Sequence, residues 1–356
     1  MRGQKRMEKI RFAVVGNGWR AMFFVRAAQN LPERFELTGV LCRSQEKAEA
    51  FARKHGVKAF WKMDDLLETK PDFVVSCLTK KAMPDATMQL LERGVHVLSE
   101  TPLAVDLDTL EKVRCAKEKS GAVLSMAEQY FLYPGHQARL EIVRRGMIGQ
   151  VQNVWMSMMH DYHGISMLRA FLGEESGPVE IRARKLTTPI VLTGGRGGYI
   201  TDGEIENEYR VLAQFDFGGR IGMHDFAGSQ YHSAIRSNHL RVNGTHGEIF
   251  DDEVRFLRAG NRPAKERLVW HCDEITGTVR SIDFDGECVY RNPFRTDVAM
   301  TEDDIAVCHV LERMKAEIDD GAQHYPYCFR DSYLSIVLTD AAARDAVVTA
   351  DALAWN

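Results

Sequence analysis

The segment spanning residues 10–21, IRFAVVGNGWRA, decides the fold of this chain. Its apolar first half is typical of a buried strand, and Gly16, Gly18 and Ala21 follow in a Gly-x-Gly-x-x-Ala pattern before a helix-like stretch. The first glycine permits a tight turn, the second lets a pyrophosphate approach the backbone, and the small third residue lets helix and strand pack closely. The helix N terminus offers N–H groups and a positive dipole end to phosphates. The segment predicts a dinucleotide site, with a purely structural turn as the alternative.

Length and composition limit the class of protein. A chain of 356 residues exceeds the roughly 250–300 residues at which single cores stop growing, which predicts two domains. A net charge of -4 argues against a general nucleic-acid binder. The sequence contains neither a signal peptide pattern nor an apolar run near the roughly 20 residues of a membrane span, so we expect no membrane partner. The 7 cysteines are scattered and odd in number, which predicts reduced thiols in a cytoplasmic protein.

Strand-like and helix-like patterns alternate over residues 1–126. This alternation predicts an α/β domain with a doubly wound parallel sheet of the Rossmann kind, whose ligand lies beyond the carboxyl ends of the strands. Gly56 and Gly121 are placed to end two of the helices. The predicted strands are 12–15, 35–41, 73–78, 95–98 and 122–126, and the predicted helices are 21–30, 45–55, 84–93 and 107–120.

From about residue 127 the pattern changes to a run of strands followed by two helices, which predicts an α+β domain over residues 127–356. The sequence DFGGR at 216–220 predicts a hairpin turn. The glycine-rich stretch 194–198 predicts a flexible loop. The predicted strands are 151–158, 180–186, 210–217, 220–226, 239–242 and 253–257, and the predicted helices are 301–320 and 331–346.

The end of the second strand bears on which cofactor fits. An NAD site usually has an acid there to bind the ribose 2′-hydroxyl. This chain has Arg43 and Ser44 directly after Leu41 and Cys42, and a guanidinium with a hydroxyl suits a 2′-phosphate. The pattern favours NADP, with NAD as the alternative. Ser44 could instead cap the following helix, and both roles are compatible.

Three motifs together carry a family resemblance: the glycine turn at 16–21, GVHVLSETPL at 94–103, and NHLRVNGTHGEI at 238–249. With these motifs the chain resembles the glucose–fructose oxidoreductase/inositol dehydrogenase (Gfo/Idh/MocA) family over nearly its whole length. The resemblance implies an N-terminal Rossmann domain and a C-terminal domain with a large, mostly antiparallel sheet for substrate binding and oligomerisation. It also implies a nicotinamide cofactor, a carbohydrate or polyol substrate, and a homo-oligomer, either a dimer or a tetramer.

The chain departs from the family at a lysine. The family usually has Glu-Lys-Pro where this chain has Glu100, Thr101 and Pro102, and that lysine commonly sits beside the substrate hydroxyl and the nicotinamide. A threonine cannot carry the charge or act as a base near neutral pH. Lys80, in the loop after the preceding strand, could reach the same pocket, or it could belong to a solvated basic loop.

A second family motif, Asp-x-Gly-x-His on a helix, is also altered. His163 matches the histidine, whereas Met159 stands at the aspartate position and Asp161 lies two residues before the histidine. A neutral imidazole, with a reference pKa of about 6.5, suits removal of a hydroxyl proton, so His163 is the predicted base. Tyr162 could donate or relay a proton, and Asp161 could orient a residue, bind substrate or cap the helix. The histidines lack a glutamate at metalloprotease spacing, so we predict no metal.

These patterns lead to three hypotheses. The first is an NAD(P)-dependent oxidoreductase that transfers hydride between a polyol carbinol and nicotinamide. The second is a glycoside-cleaving enzyme that uses bound NAD(P) transiently, and the third is a non-catalytic regulator that binds a nucleotide or a sugar. Fold alone does not choose among them. The predicted cofactor contacts are Gly16, Asn17, Gly18, Trp19, Arg20, Arg43, Ser44, Thr79, Glu100, Thr101, Pro102 and Gln129.

Overall fold

The computed structural model describes residues 8–173, 177–195, 197–325 and 327–351. Contacts divide the chain into two compact units. The first comprises the chain up to Pro134 with Cys272–Arg280 and Asn292–Ser332. The second comprises Gly135–His271, Ser281–Arg291 and the chain from Tyr333 onward.

The first unit begins with the predicted alternation of strands and helices. Its strands are short and apolar, and Phe12, Val14 and Val74 have no exposed surface. The elements are β1 (Ile10–Val15), α1 (Ala21–Asn30), β2 (Phe35–Leu41), α2 (Gln45–His55), β3 (Ala59–Phe60), α3 (Met63–Leu67), β4 (Phe73–Ser76), α4 (Met83–Glu92), β5 (Val97–Ser99), α5 (Leu107–Ser120) and β6 (Leu124–Met126).

These strands form one parallel sheet in the order β3-β2-β1-β4-β5-β6. The order reverses between β1 and β4, which is the topological switch point where doubly wound sheets bind their ligands. The predicted Rossmann architecture is confirmed. The sequence analysis did not predict β3 and α3, because two and five residues are too few to show a periodic pattern.

The rest of the chain adds a larger set of strands. A 3-10 helix, Tyr130–Leu132, precedes them. The elements are α6 (Pro134–Arg144), β7 (Val151–Ser157), α7 (Asp161–Leu172), β8 (Val179–Val191), β9 (Gly194–Gly195), β10 (Gly198–Tyr199), β11 (Ile205–Asp216), β12 (Ile221–Ala227), β13 (His239–Gly244), β14 (Gly247–Phe250), β15 (Glu253–Arg258), β16 (Arg262–Arg267), β17 (Val269–Cys272), β18 (Val279–Phe284), β19 (Glu287–Arg291), α8 (Glu302–Asp320), α9 (Cys328–Arg344) and β20 (Ala346–Ala350).

A nine-stranded sheet organises the second unit, in the order β16-β15-β14-β13-β7-β12-β11-β8-β20. Its neighbours are antiparallel except β7 and β12, which run parallel, so the predicted mostly antiparallel sheet is confirmed. Helix α7 packs on one face, where a Cβ on Gly222 of β12 would lie 3.0 Å from Leu168. The hairpin turn predicted at 216–220 joins β11 to β12.

Two local predictions need correction. The stretch 194–198 is not a simple loop, because β9 and β10 pair in a two-stranded antiparallel sheet; Arg196 lies outside the described residues. Strands β8 and β11 are 13 and 12 residues long, longer than predicted. The prediction was too short because much of their length is exposed and polar. In the described part of the chain, no helix is long and apolar enough to cross a membrane.

Helix α8 closes the first unit although it comes late in the sequence. Thr301 and Asp304 form a reciprocal capping box at its start, where the predicted helix 301–320 begins. Arg26 pairs with Asp304 at 2.6 Å, and Arg34 pairs with Glu312 at 2.5 Å. The sequence analysis placed the domain boundary after residue 126, in chain order. These ion pairs nevertheless join α8 to the first unit, although α8 lies far beyond that boundary in the sequence.

Candidate active site

The glycine turn after β1 is closed on one side by the chain itself. Gly16 has a φ of 115°, and a Cβ at this position would lie 2.1 Å from the carbonyl oxygen of Cys77. The Gly16 N–H donates to the carbonyl oxygen of Leu41 at 3.1 Å, so the turn contacts the residue that ends β2. Only glycine fits, because any side chain would collide with the backbone.

Gly18, two residues later, has an open environment, since a Cβ there would meet no atom within 4 Å. Helix α1 begins at Ala21 with no side-chain cap from Arg20 and no acid in its first turn. Such a helix N terminus favours an anion through its N–H groups and dipole. The turn and the start of α1 therefore fit the pyrophosphate of a dinucleotide.

Arg43 and Ser44, the predicted cofactor selectors, follow β2 directly. Arg43 is exposed, and the Oγ of Ser44 accepts a hydrogen bond from the N–H of Lys47 at 3.4 Å. The predicted helix cap is therefore confirmed. A contact of these two residues with a 2′-phosphate stays a prediction, since a hydroxyl that accepts one bond can still donate another.

Arg20 and Glu100, both predicted to contact the cofactor, bind each other. Arg20 Nε lies 2.6 Å from Glu100 Oε1, and Arg20 Nη1 lies 3.0 Å from Asp303. Burial by itself lowers the pKa of Arg20, but the negative charges of Glu100 and Asp303 outweigh it and raise the pKa above its ordinary value. Arg20 thus ties the glycine turn to the segment after β5 and to α8.

Three further predicted residues lie in loops next to the strand ends. Trp19 is 59% exposed, and its ring contacts that of Phe23 edge to face, with the centroids 4.8 Å apart. Trp19 therefore lies against helix α1, which follows it in the sequence. The carbonyl of Thr79 accepts from the N–H of Met83 at 3.0 Å at the start of α4. Lys80, the predicted catalytic lysine, is exposed in the same loop.

The remaining predicted cofactor residues differ in exposure. Gln129 is buried, and its Oε1 has no hydrogen-bond partner in the structure as described. Buried polar atoms are normally satisfied, so this oxygen offers an acceptor to a ligand. Asn17 is exposed in the glycine turn, and Thr101 precedes Pro102 through a cis peptide bond.

The predicted catalytic residues of the second unit stand at the start of α7. His160 is the N-cap residue, and its N–H donates to the hydroxyl of Tyr231 at 3.3 Å. Asp161 has a φ of 38°, a left-handed conformation that a residue other than glycine rarely adopts. Its Oδ2 lies 3.3 Å from Nδ1 of His160. Backbone strain of this kind is often found at functional sites.

His163 lies one turn into the same helix and is 8% exposed. Its ring contacts that of His160 edge to face, with the centroids 5.1 Å apart. The ring of Tyr162 is 6.2 Å from that of His163, and Tyr162 is 1% exposed. The rings of His160 and Tyr162 therefore both lie next to that of His163, the predicted base.

A residue that the sequence analysis missed holds this helix start. His224 of β12 is 2% exposed, and its Nε2 is 2.9 Å from the carbonyl oxygen of Met159. Since a carbonyl only accepts, Nε2 carries the proton. A Cβ on Gly164 would lie 2.5 Å from the His224 ring, so the glycine allows the close contact. Burial lowers the pKa of His224, which favours the neutral form.

Comparison with known proteins agrees with this geometry. Residues 10–128 match the Gfo/Idh/MocA model, described as an oxidoreductase family with an NAD-binding Rossmann fold. The match covers residues 10–128 of the 356 and concerns the nucleotide-binding part of the chain. Together with the parallel six-stranded sheet, this match indicates an oxidoreductase whose first unit has an NAD(P)-binding Rossmann fold.

The relatives of this chain include two dehydrogenases with established names. The scyllo-inositol 2-dehydrogenase (NADP(+)) IolU of Bacillus subtilis is 26% identical over 260 residues, which cover 69% of this chain and 76% of that protein. The D-glucoside 3-dehydrogenase of Escherichia coli is 28% identical over 146 residues, 40% of this chain and 41% of that protein. The apo form of levoglucosan dehydrogenase has a TM-score of 0.72 at 16% identity and covers 98% and 100% of the two chains; this likeness concerns the fold.

Further ionisable groups lie around the start of α7. Burial raises the pKa of Tyr209 on β11, and the negative charge of Asp161 raises it further. Neither Tyr209 nor His224 was predicted, because each lies within a strand pattern that also fits a purely structural residue. Across the described residues, no group of three or more metal-ligating side chains could hold a metal ion.

Proposed function

We propose that this oxidoreductase interconverts a secondary alcohol and a carbonyl on a sugar, cyclitol or related polyol. The names of its relatives support this substrate class, since they include an inositol dehydrogenase and a glucoside dehydrogenase. The chain itself contributes ionisable groups of the kind that proton transfer needs, clustered at the start of α7. The altered lysine and histidine motifs fit a member with its own arrangement of acid–base groups.

The observation that carries the redox part of the proposal is the glycine turn. Gly16 is sterically required and Gly18 leaves the backbone open, which is the arrangement that a dinucleotide pyrophosphate needs. Nicotinamide, when bound, supplies hydride transfer. We favour NADP, because Arg43 and Ser44 follow β2 and a 2′-phosphate pairs well with a guanidinium. The NADP(+) in the name of IolU supports the same choice.

The proton of the alcohol is assigned to His163. An imidazole can accept a hydroxyl proton near neutral pH and return it in the reverse direction. Tyr162 and Asp161 directly precede His163 in the sequence, and we assign Tyr162 to proton donation and Asp161 to orientation. Lys80 is the candidate for the positive charge that Thr101 cannot supply. Glu100 is excluded as a free base in this scheme, since Arg20 binds its carboxylate.

We also propose that the chain forms a homo-oligomer through the open face of the nine-stranded sheet. Trp155, Met223 and Leu212 lie on this face, on β7, β12 and β11, and are 48%, 40% and 37% exposed. The register pairs Met223 with Trp155, so these two apolar side chains are adjacent, whereas Leu212 lies opposite Asp225. A patch of this kind is typical of an interface.

The scattered cysteines, 7 in number and therefore odd, favour a cytoplasmic location for the protein.

The first experiment identifies the nucleotide and the reaction. Freshly purified protein is denatured and its released nucleotide identified by mass spectrometry, and the protein is then assayed with NADP⁺ and NAD⁺ against cyclitols and glycosides. Reduced cofactor that forms with a carbonyl product supports the proposal. Glycosidic cleavage without net reduced cofactor, or binding without turnover, refutes it. The variant His163→Ala, compared with the exposed-histidine variant His271→Gln, tests the proposed base.

A further inference from the structure

The start of α7 carries a second histidine that the proposed reaction leaves without a role. His160 is half-buried, whereas His163, the proposed base, is buried. The two rings touch edge to face with their centroids 5.1 Å apart. His160 therefore lies beside the base and is more accessible to solvent.

Alcohol oxidation releases a proton that has to leave this region. The substrate loses a hydride to nicotinamide and a hydroxyl proton to His163, so the products are a carbonyl, the reduced cofactor and one proton held on the imidazole. Before the next oxidation His163 has to lose that proton. A buried imidazole loses it fastest through a neighbouring group that can itself carry a proton.

The surroundings of His160 suit that task. The carboxylate of Asp161 lies 3.3 Å from its Nδ1 and stabilises the protonated imidazole by charge. The hydroxyl of Tyr231 accepts from the His160 N–H at 3.3 Å, and its ring lies 5.6 Å from that of His160. Tyr231 thus contacts both the backbone N–H and the ring of His160.

The left-handed conformation of Asp161 also supports a functional role. An αL residue other than glycine has a conformational cost, which the surrounding structure has to offset. Glycine or asparagine would adopt this conformation more easily. The aspartate adds a negative charge at the position where His160 would become positive.

We propose that His160, paired with Asp161, passes the reaction proton between His163 and solvent. This inference rests on the proposed dehydrogenase function and assigns that site its proton exit. In oxidation the proton moves from His163 to His160 and then to water or buffer, and in reduction it moves the opposite way. His160 contacts neither the hydride nor the cofactor in this scheme.

Other ionisable groups near this pair come from α7, from β11 and β12, and from the turn that carries Tyr231. His163 belongs to α7, Tyr209 to β11, and His224 to β12. The negative charge of Asp161 raises the pKa of Tyr209 and opposes the lowering of the pKa of His224 by burial. A pH profile therefore has to be compared between variants that differ at one position only.

The test uses full-length His160→Gln and Asp161→Asn with the best substrate found for the wild type. Both substitutions keep hydrogen-bonding groups, but Gln cannot carry the proton. We expect kcat to fall by roughly 10²-fold, within the range for loss of a proton-transfer group, with KM and nucleotide affinity within about threefold of the wild type. Added imidazole buffer is expected to restore part of kcat in His160→Gln, and the solvent deuterium isotope effect is expected to rise.

The matched control is His271→Gln, which removes a histidine from another exposed His–Asp pair, 3.0 Å from Asp283. It is expected to behave as the wild type. Unchanged kcat in His160→Gln, or a loss that buffer does not relieve while thermal unfolding matches the wild type, overturns the relay. If the wild type reduces no cofactor with any polyol, the proposed function fails first. Should His160→Gln misfold, Asp161→Asn and its pH profile provide the same comparison.

Discussion

The variants Gly16→Ala and Gly18→Ala distinguish a glycine that the fold requires for steric reasons from a glycine that nucleotide binding requires. In Gly16→Ala the new Cβ would lie 2.1 Å from the carbonyl oxygen of Cys77, and the residue would need a φ of 115°. Strain at such a conformation costs about 1–3 kcal/mol, and the collision with backbone adds to it. We expect the first unit to lose about 3 kcal/mol of stability, roughly a 100-fold change in its unfolding equilibrium.

Gly18→Ala is the matched control, because its Cβ would meet no protein atom within 4 Å. Its stability is expected to equal that of the wild type or to rise by about 0.4–1 kcal/mol, since alanine restricts the unfolded chain. The added methyl group nevertheless occupies the side from which a pyrophosphate approaches. We expect the Kd for NADP⁺ to rise by about 10–100-fold, or roughly 1.4–2.8 kcal/mol.

The two properties are measured independently. Urea unfolding without nucleotide reports stability, and isothermal titration with NADP⁺ reports affinity. If Gly18→Ala binds nucleotide as the wild type does, the dinucleotide is not held at this turn. If Gly16→Ala unfolds at the wild-type urea concentration, the close contact with Cys77 does not constrain the fold.

Three further predictions concern other residues of the two units. Arg43→Ala is expected to raise the Kd for NADP⁺ about tenfold and to leave NAD⁺ affinity unchanged, as measured by titration with both nucleotides; equal effects on both would contradict the 2′-phosphate contact. His163→Ala is expected to lower kcat/KM by about 10²–10⁴-fold in steady-state assays with nucleotide affinity preserved, and wild-type turnover would exclude it as the base. For His224, burial lowers the folded-state pKa, so the unfolded chain binds more protons and stability falls as pH drops below the ordinary histidine value of 6.5. His224→Gln is expected to flatten this part of the stability–pH curve in urea titrations, and an unchanged slope would show that His224 is not the group concerned.

Local signals in the sequence predicted the first unit well. Ser44 caps α2, Gly56 and Gly121 end α2 and α5 with positive φ, and the central strands are continuous apolar runs. Each of these signals acts within a few residues, so a single sequence contains the information. The long strands β8 and β11 were underestimated, because exposed polar residues hide the alternation that marks a strand.

The arrangement of the candidate site was less predictable, because it depends on contacts between distant positions. Arg20 binds Glu100, 80 residues away, and Asp303, 283 residues away, although the glycine motif alone suggested that Arg20 faces the cofactor. His224 supports the turn before α7 from a neighbouring strand, and nothing in its local sequence distinguishes it from other strand residues. The match to the histidine of the Asp-x-Gly-x-His motif did identify His163 as a candidate, and its catalytic role stays a prediction.

The late position of α8 has a consequence for synthesis on the ribosome. The carboxylates that pair with Arg20, Arg26 and Arg34 are translated about 280 residues after those arginines. At a translation rate of roughly 5–20 residues per second, on the order of 14–60 s pass between synthesis of the N-terminal segment and synthesis of α8. During that interval its arginines and the apolar surface beneath α8 are accessible to chaperones. Premature termination before residue 301 would therefore leave a nucleotide-binding unit that is incomplete and prone to degradation.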